Sequence, residues 1–104
     1  MFFSIISFEK VQKIFEDYLA IDKTIEVYKS RYGCVRVEFD EDLQYCTGDV
    51  CHTPKELFEL LLSDYRSYVE VELTQGKREL TENDEKQVDV LCETYLNRWK
   101  EEMK

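Results

Sequence analysis

Apolar residues recur at alternating steps of three and four along the first third of the chain: Val11, Ile14, Tyr18, Ile21, Ile25, Tyr28 and Tyr32. That is the repeat of a helix with one continuous buried seam. It predicts a single helix from Phe8 to Tyr32, capped by Ser7 and stopped by Gly33. Phe8, Phe15 and Leu19 widen the apolar face in the first half, which assigns that half to a globular core. Ile21, Ile25, Tyr28 and Tyr32 keep a narrow stripe, suited to one neighbouring helix in the same chain or in a second copy. A break at Asp22 to Thr24 is the alternative, against which the unbroken phase argues.

After Gly33 the period becomes two. Val35, Val37 and Phe39 alternate with Arg36, Glu38 and Asp40, predicting a half-buried strand with apolar residues toward the helices and charges outward. Asp40, Glu41 and Asp42 form a turn, Leu43 to Cys46 a partner strand, and Thr47, Gly48 and Asp49 close the hairpin. Thr53, Pro54 and Glu56 then supply a hydroxyl cap, a proline in the first helical position and a carboxylate in the third. The helix they start is apolar around most of its circumference, through Leu57, Phe58, Leu60, Leu61, Leu62 and Tyr65, and belongs at the centre of the fold. From Tyr68 the alternation of Val69, Val71 and Leu73 with Glu70 and Glu72 predicts a third strand, ended by Gln75 and Gly76, with Arg78 to Leu80 as an optional fourth. Thr81 and Asp84 cap a last helix that carries Val88, Leu91, Cys92, Tyr95, Leu96, Trp99 and Met103 on one face. The predicted order is α-β-β-α-β-α: an α+β fold in which three helices pack on one face of a small antiparallel sheet of three or four strands.

With 104 residues, 43% of them hydrophobic, and only three Gly and one Pro, the chain reads as one compact domain over residues 1–104. A formal charge of −9 repels nucleic acid and anionic membranes, so a basic protein is the natural partner and direct nucleic-acid or membrane binding is not expected. No apolar run approaches the ~20 residues of a membrane span. Met1 to Ile6 is apolar but short, and lacks the basic flank of a signal peptide. The expected setting is the cytoplasm, with all four cysteines reduced.

The charge is unevenly spread. Residues 1–33 are balanced, whereas residues 34–53 hold Glu38, Asp40, Glu41, Asp42 and Asp49 against Arg36 alone. If the apolar alternations face the helices, Glu38, Asp40, Glu70 and Glu72 line the opposite sheet face, with successive carboxylates on a strand roughly 6.6 to 7 Å apart. That is about twice the ~3.4 Å rise per nucleotide of a DNA strand, so such rows imitate phosphates. Glu38, Asp40, Glu41, Asp42, Asp49, Glu70 and Glu72 are accordingly the expected partner-binding residues, and Ile21, Ile25, Tyr28 and Tyr32 the expected self-association residues. The competing view is a solvated face that only maintains solubility.

Catalytic and metal chemistry are weakly represented. Cys34, Cys46, Cys51 and His52 are zinc-type ligands without the usual close pair, so no metal or cofactor is expected. Glu38, Asp40 and Asp42 could hold a divalent cation, but 23 acidic residues make neighbouring carboxylates common by chance. One His and three Gly leave few acid–base groups and no phosphate-cradling loop, and a non-enzymatic protein is expected. In size, acidity and lack of catalytic motifs the chain resembles, in type, inhibitors from phages or mobile elements such as anti-CRISPR and anti-restriction proteins. The likeness implies a nucleic-acid mimic that occludes a basic surface and carries no family's functional positions with it. The alternatives are an assembly module that homodimerises through the N-terminal helix, and an immunity protein for a nuclease toxin.

Overall fold

A computed structural model of the chain describes residues 6–104; the apolar start at residues 1–5 lies outside the described residues. The elements are α1 (Phe8–Ile14), α2 (Glu16–Ile21), β1 (Ile25–Ser30), β2 (Gly33–Phe39), β3 (Cys46–Cys51), α3 (Pro54–Thr74) and α4 (Glu82–Glu102). The strands form one antiparallel sheet in the order β1-β2-β3. The α+β class agrees with the sequence reading, but among the described residues there are four helices and three strands. The second strand of the hairpin is Cys46–Cys51 and not Leu43 to Cys46, because Asp40 binds the Gln44 N–H and holds Leu43 to Tyr45 in the turn, so Thr47, Gly48 and Asp49 pair in the sheet; Arg78 to Leu80 form no strand. Two further segments adopt the other kind of structure.

The first is the end of the expected long helix. Ser7 caps α1, its side chain accepting from Lys10 N–H at 3.2 Å. The helix kinks at Phe15, and Arg98 takes the Ile14 carbonyl at 2.8 Å while Tyr18 N–H turns to the Asp17 carboxylate at 2.9 Å. Asp22 then stops the helix. Its carboxylate accepts from the Tyr18 hydroxyl and the Thr24 hydroxyl, both at 2.6 Å, and from Thr24 N–H at 3.1 Å. These local bonds compete with helix continuation, and the chain goes on as strand from the β-branched residues Thr24, Ile25 and Val27. The helix-seam assignment is therefore corrected. Ile21 is 57% exposed, Tyr28 and Tyr32 are exposed on β1 and its turn, and only Ile25 is buried. Gly33 meets the sharp return with φ +133°, beside the Cys51 backbone, where a side chain has no room.

The second is the expected third strand at Tyr68 to Leu73, which is the C-terminal third of α3. Thr53 caps α3 by accepting from Glu56 N–H at 3.2 Å, and Glu56 accepts in return from His52 N–H at 2.8 Å. Once started, the helix meets no Gly or Pro until Gln75 (φ 56°) and Gly76 (φ +67°), so nothing stops it at Tyr68. Tyr65 and Val69 share the face that packs with Val88, Leu91 and Cys92 of α4. A helical step of four outweighs the alternation.

Alpha helix α4 starts at Thr81 in a reciprocal cap with Asp84 and returns along α3, as the sequence indicates. The main core joins Val11, Phe15 and Tyr18 to Leu57, Phe58, Leu61 and Tyr95. Aromatic contacts run through it: Phe15 stacks on Tyr95 at 4.6 Å, Phe58 meets Trp99 at 4.6 Å, and Tyr18 meets Tyr65 edge-on at 5.4 Å. The helices lie against one side of the sheet, and the molecule measures 50 × 34 × 18 Å. No helix among the described residues is long and apolar enough to cross a membrane.

Candidate functional site

The sheet is turned over relative to the expected orientation. Arg36, at the middle of β2, is 6% exposed and donates from Nε to Asp64 of α3 at 2.8 Å, so its side of the strand faces the helices. Cys34, Arg36 and Glu38 thus point inward, opposite Cys51, Asp49 and Thr47 of β3, while Val35, Val37 and Phe39 point away. The strand alternates as expected, but its charges are inside.

Arg36 gathers three carboxylates. Its second contact to Asp64, from Nη2 to Oδ1, makes that pair bidentate; Nη2 also reaches Glu38 Oε1 at 2.8 Å, and Nη1 reaches Asp49 Oδ2 at 3.3 Å. Burial works against the charged guanidinium, but Asp64 and Glu38 outweigh it and hold the arginine protonated. Burial pushes the Asp64 carboxyl above the usual range, with Glu38 and Asp22 adding to the rise and Arg36 opposing it. Desolvating such a pair costs several kcal/mol per ion, which the fork-to-fork geometry and the additional partners offset. Among the described residues no buried side-chain nitrogen or oxygen lacks a hydrogen-bond partner. Three carboxylates around one cation leave an excess of two negative charges.

Above this cluster, between the β1–β2 end and α3, lies a cleft of about 300 Å³ lined by Tyr18, Asp22, Thr24, Ile25, Glu38, Asp64, Ser67, Tyr68 and Val71. Asp22 is held there by the bonds that end α2, and the Tyr18 phenol, buried and donating to Asp22, is held far from ionisation. Glu38 keeps half of its side chain exposed at the rim. The adjoining groove along α3 shares Ser67 and Val71 and is lined also by Glu70, Glu79 and Arg78. A lysine or arginine from outside would meet carboxylates on both sides of the Ser67–Val71 ridge.

Of the residues expected to bind a partner, Glu38 and Glu70 border these two neighbouring grooves. Asp40 organises the β2–β3 turn, accepting from Gln44 N–H at 3.0 Å, and Glu41 and Asp42 stand exposed on it. Asp49 is tied to Arg36 and also borders a groove with Glu56 and Glu59 at the start of α3. Glu72 is exposed on α3, two residues from Glu70 and so on a diverging face. Rows of carboxylates on two strands of an open face are not formed, because Glu70 and Glu72 are helical and Glu38 faces the helices. Arg36, Asp64 and Asp22 were not singled out as site residues, although a lone cation between valines and an aspartate within the run Leu60-Leu61-Leu62-Ser63-Asp64-Tyr65 are legible signals.

The cysteines are dispersed. Cys46 is exposed at one end of β3; Cys51 is buried at the other end, directly opposite Cys34; Cys92 is buried on α4. All four are free thiols, and burial pushes Cys34, Cys51 and Cys92 upward. Among the described residues no group of three or more His, Cys, Asp or Glu is placed to hold a metal ion. No known protein family, curated protein or solved structure matches this chain.

Proposed function

We propose that the protein is a small, non-enzymatic acidic binding protein that occludes the nucleic-acid-binding surface of a basic partner. The observation that carries this reading is the gathering of carboxylates at one end of the molecule: Asp22, Glu38 and Asp64 in the cleft, Glu70 beside it, and Asp40, Glu41 and Asp42 on the adjoining turn. Arg36, beneath that cleft, is already engaged by three of the molecule's own acids, and Arg78 of the adjoining groove is engaged by Asp84. The excess charge remains available to an incoming cation, and a net charge of −9 steers a basic protein toward it. A partner that binds phosphates through Lys and Arg finds oxygen acceptors in their place. Inhibitors of the anti-CRISPR or anti-restriction type, encoded by phages or mobile elements, act in this manner, and a nuclease toxin is an equally basic target. Four free thiols fit a role in the reducing cytoplasm.

The test is a pull-down from the host with the tagged chain at low and high salt, followed by titration of the captured protein. Binding is expected to weaken steeply with added salt, since exposed pairs are screened beyond ~8 Å at physiological ionic strength. A variant with the exposed Glu41 and Asp42 and the half-buried Glu70 changed to Lys is expected to lose ~10-fold or more in affinity while keeping its fold. Capture of a partner whose affinity ignores both salt and these changes contradicts the reading.

A further inference from the structure

The open side of the sheet is its apolar side. The register aligns Val35 and Val37 of β2 with Tyr28 and Glu26 of β1, and with Val50 and Gly48 of β3. Tyr28 and Val50 are 50% and 48% exposed, and Val35, Val37 and Phe39 are half-buried with no element among the described residues packed over them. A sheet covered on one side ordinarily turns polar residues to water on the other. Here the strands present one formal charge to that side, Glu26, and keep Arg36, Glu38 and Asp49 beneath.

We infer that two copies of the chain meet on this face, related by a two-fold axis that lies in the plane of contact and runs across the strands. Charge selects a second copy in this arrangement. Arg31, exposed on the β1–β2 turn, stands at one end of β2, and Asp40, Glu41 and Asp42 stand on the turn at the other. The axis reverses β2 on its counterpart, so each acidic turn comes over the other copy's basic turn. Two chains of charge −9 repel through most other surfaces.

Shape selects the same arrangement. The axis crosses β2 at the level of Arg36, so the level of Val35 in one copy meets the level of Val37 in the other. Val50 is level with Val35, and Gly48, which has no side chain, is level with Val37. Each exposed Val50 therefore stands over the gap at the other copy's Gly48, a self-complementary contact of the kind two-fold symmetry requires. Three strands ~4.8 Å apart and roughly 22 Å long, with their turns, bury on the order of 1,000 Å² in total. That is the small end of specific interfaces, so the pairing is reversible and concentration-dependent.

Sedimentation equilibrium of the full chain, from low micromolar to several hundred micromolar, tests this independently of any partner. A monomer–dimer equilibrium is expected. Gly48→Leu, whose Cβ has 3.3 Å to Val35 Cγ1 and open space beyond, fills the gap and weakens association ~10-fold or more. Arg31→Glu, on an exposed turn, weakens it too, and adding Glu41→Arg to that variant restores it; circular dichroism verifies that each variant is folded. A chain that stays monomeric throughout overturns the proposal, as does a dimer that Gly48→Leu leaves intact. Loss without restoration in the charge-swapped double variant overturns the two-fold arrangement.

Discussion

Arg36 and Asp64 meet in the sheet–helix interface as a nearly enclosed bidentate pair, with Glu38 and Asp49 completing the guanidinium's partners from the rim. Removing one member leaves the other desolvated. Asp64→Leu is expected to cost about 3 kcal/mol of stability, and Arg36→Met a similar amount, whereas the double variant loses less than either alone. Denaturant midpoints of the three variants check this; additive losses would mean that the pair is not coupled. The same residues explain why the strand was legible and its orientation was not. Period two shows as clearly in Val35, Val37 and Phe39 as in Cys34, Arg36 and Glu38, and apolar-side-in is the default for a half-covered sheet. What reverses it is a contact between residues 28 positions apart, which no local pattern contains.

At the scale of elements, caps were readable and internal boundaries were not. Thr53-Pro54 and Thr81 with Asp84 mark the starts of α3 and α4 because the chemistry of a helix N-terminus is local. Asp22 ends α2 through its own local bonds, but the apolar repeat of three and four ran past it and concealed the change to strand. In Tyr68 to Leu73 the opposite happened, where chance alternation concealed a helix with no stop signal before Gln75. The α4 cap also yields a pH dependence. Arg78 and the Thr81 N–H hold the Asp84 carboxyl far below the usual carboxylate range, outweighing the opposing effect of burial. A depressed folded value means that this stabilisation is complete above the unfolded value of about 3.9 and is lost as pH falls through the folded one. Asp17 is lowered as well: burial raises it, but hydrogen bonds from Arg98 and Tyr95 outweigh that. Denaturant unfolding from pH 5 downward is expected to show stability falling with pH, and Asp84→Asn to flatten that fall; an unchanged slope would remove Asp84 from the account.

Across the whole molecule, the sheet separates two surfaces of opposite character. On its helix side and at one end, carboxylates outnumber Arg36, the basis of the proposed basic partner; on its open side lie the valines and aromatic rings of the proposed contact with a second copy. Both depend on the sheet facing the way it does, and the native thiols report that directly. Cys34 and Cys51 lie on the helix side of the sheet, Cys46 on the open side, and Cys92 in the α3–α4 interface. Reaction of the dilute, folded chain with an aromatic disulfide reagent, followed as released thiolate, is the most direct measurement. One thiol per chain is expected to react fast, with that phase absent from Cys46→Ser and the other three thiols reacting only on unfolding. Cys34 and Cys51 reacting as fast as Cys46 in the folded chain would mean that the sheet presents its charged side to solvent, and would contradict the account.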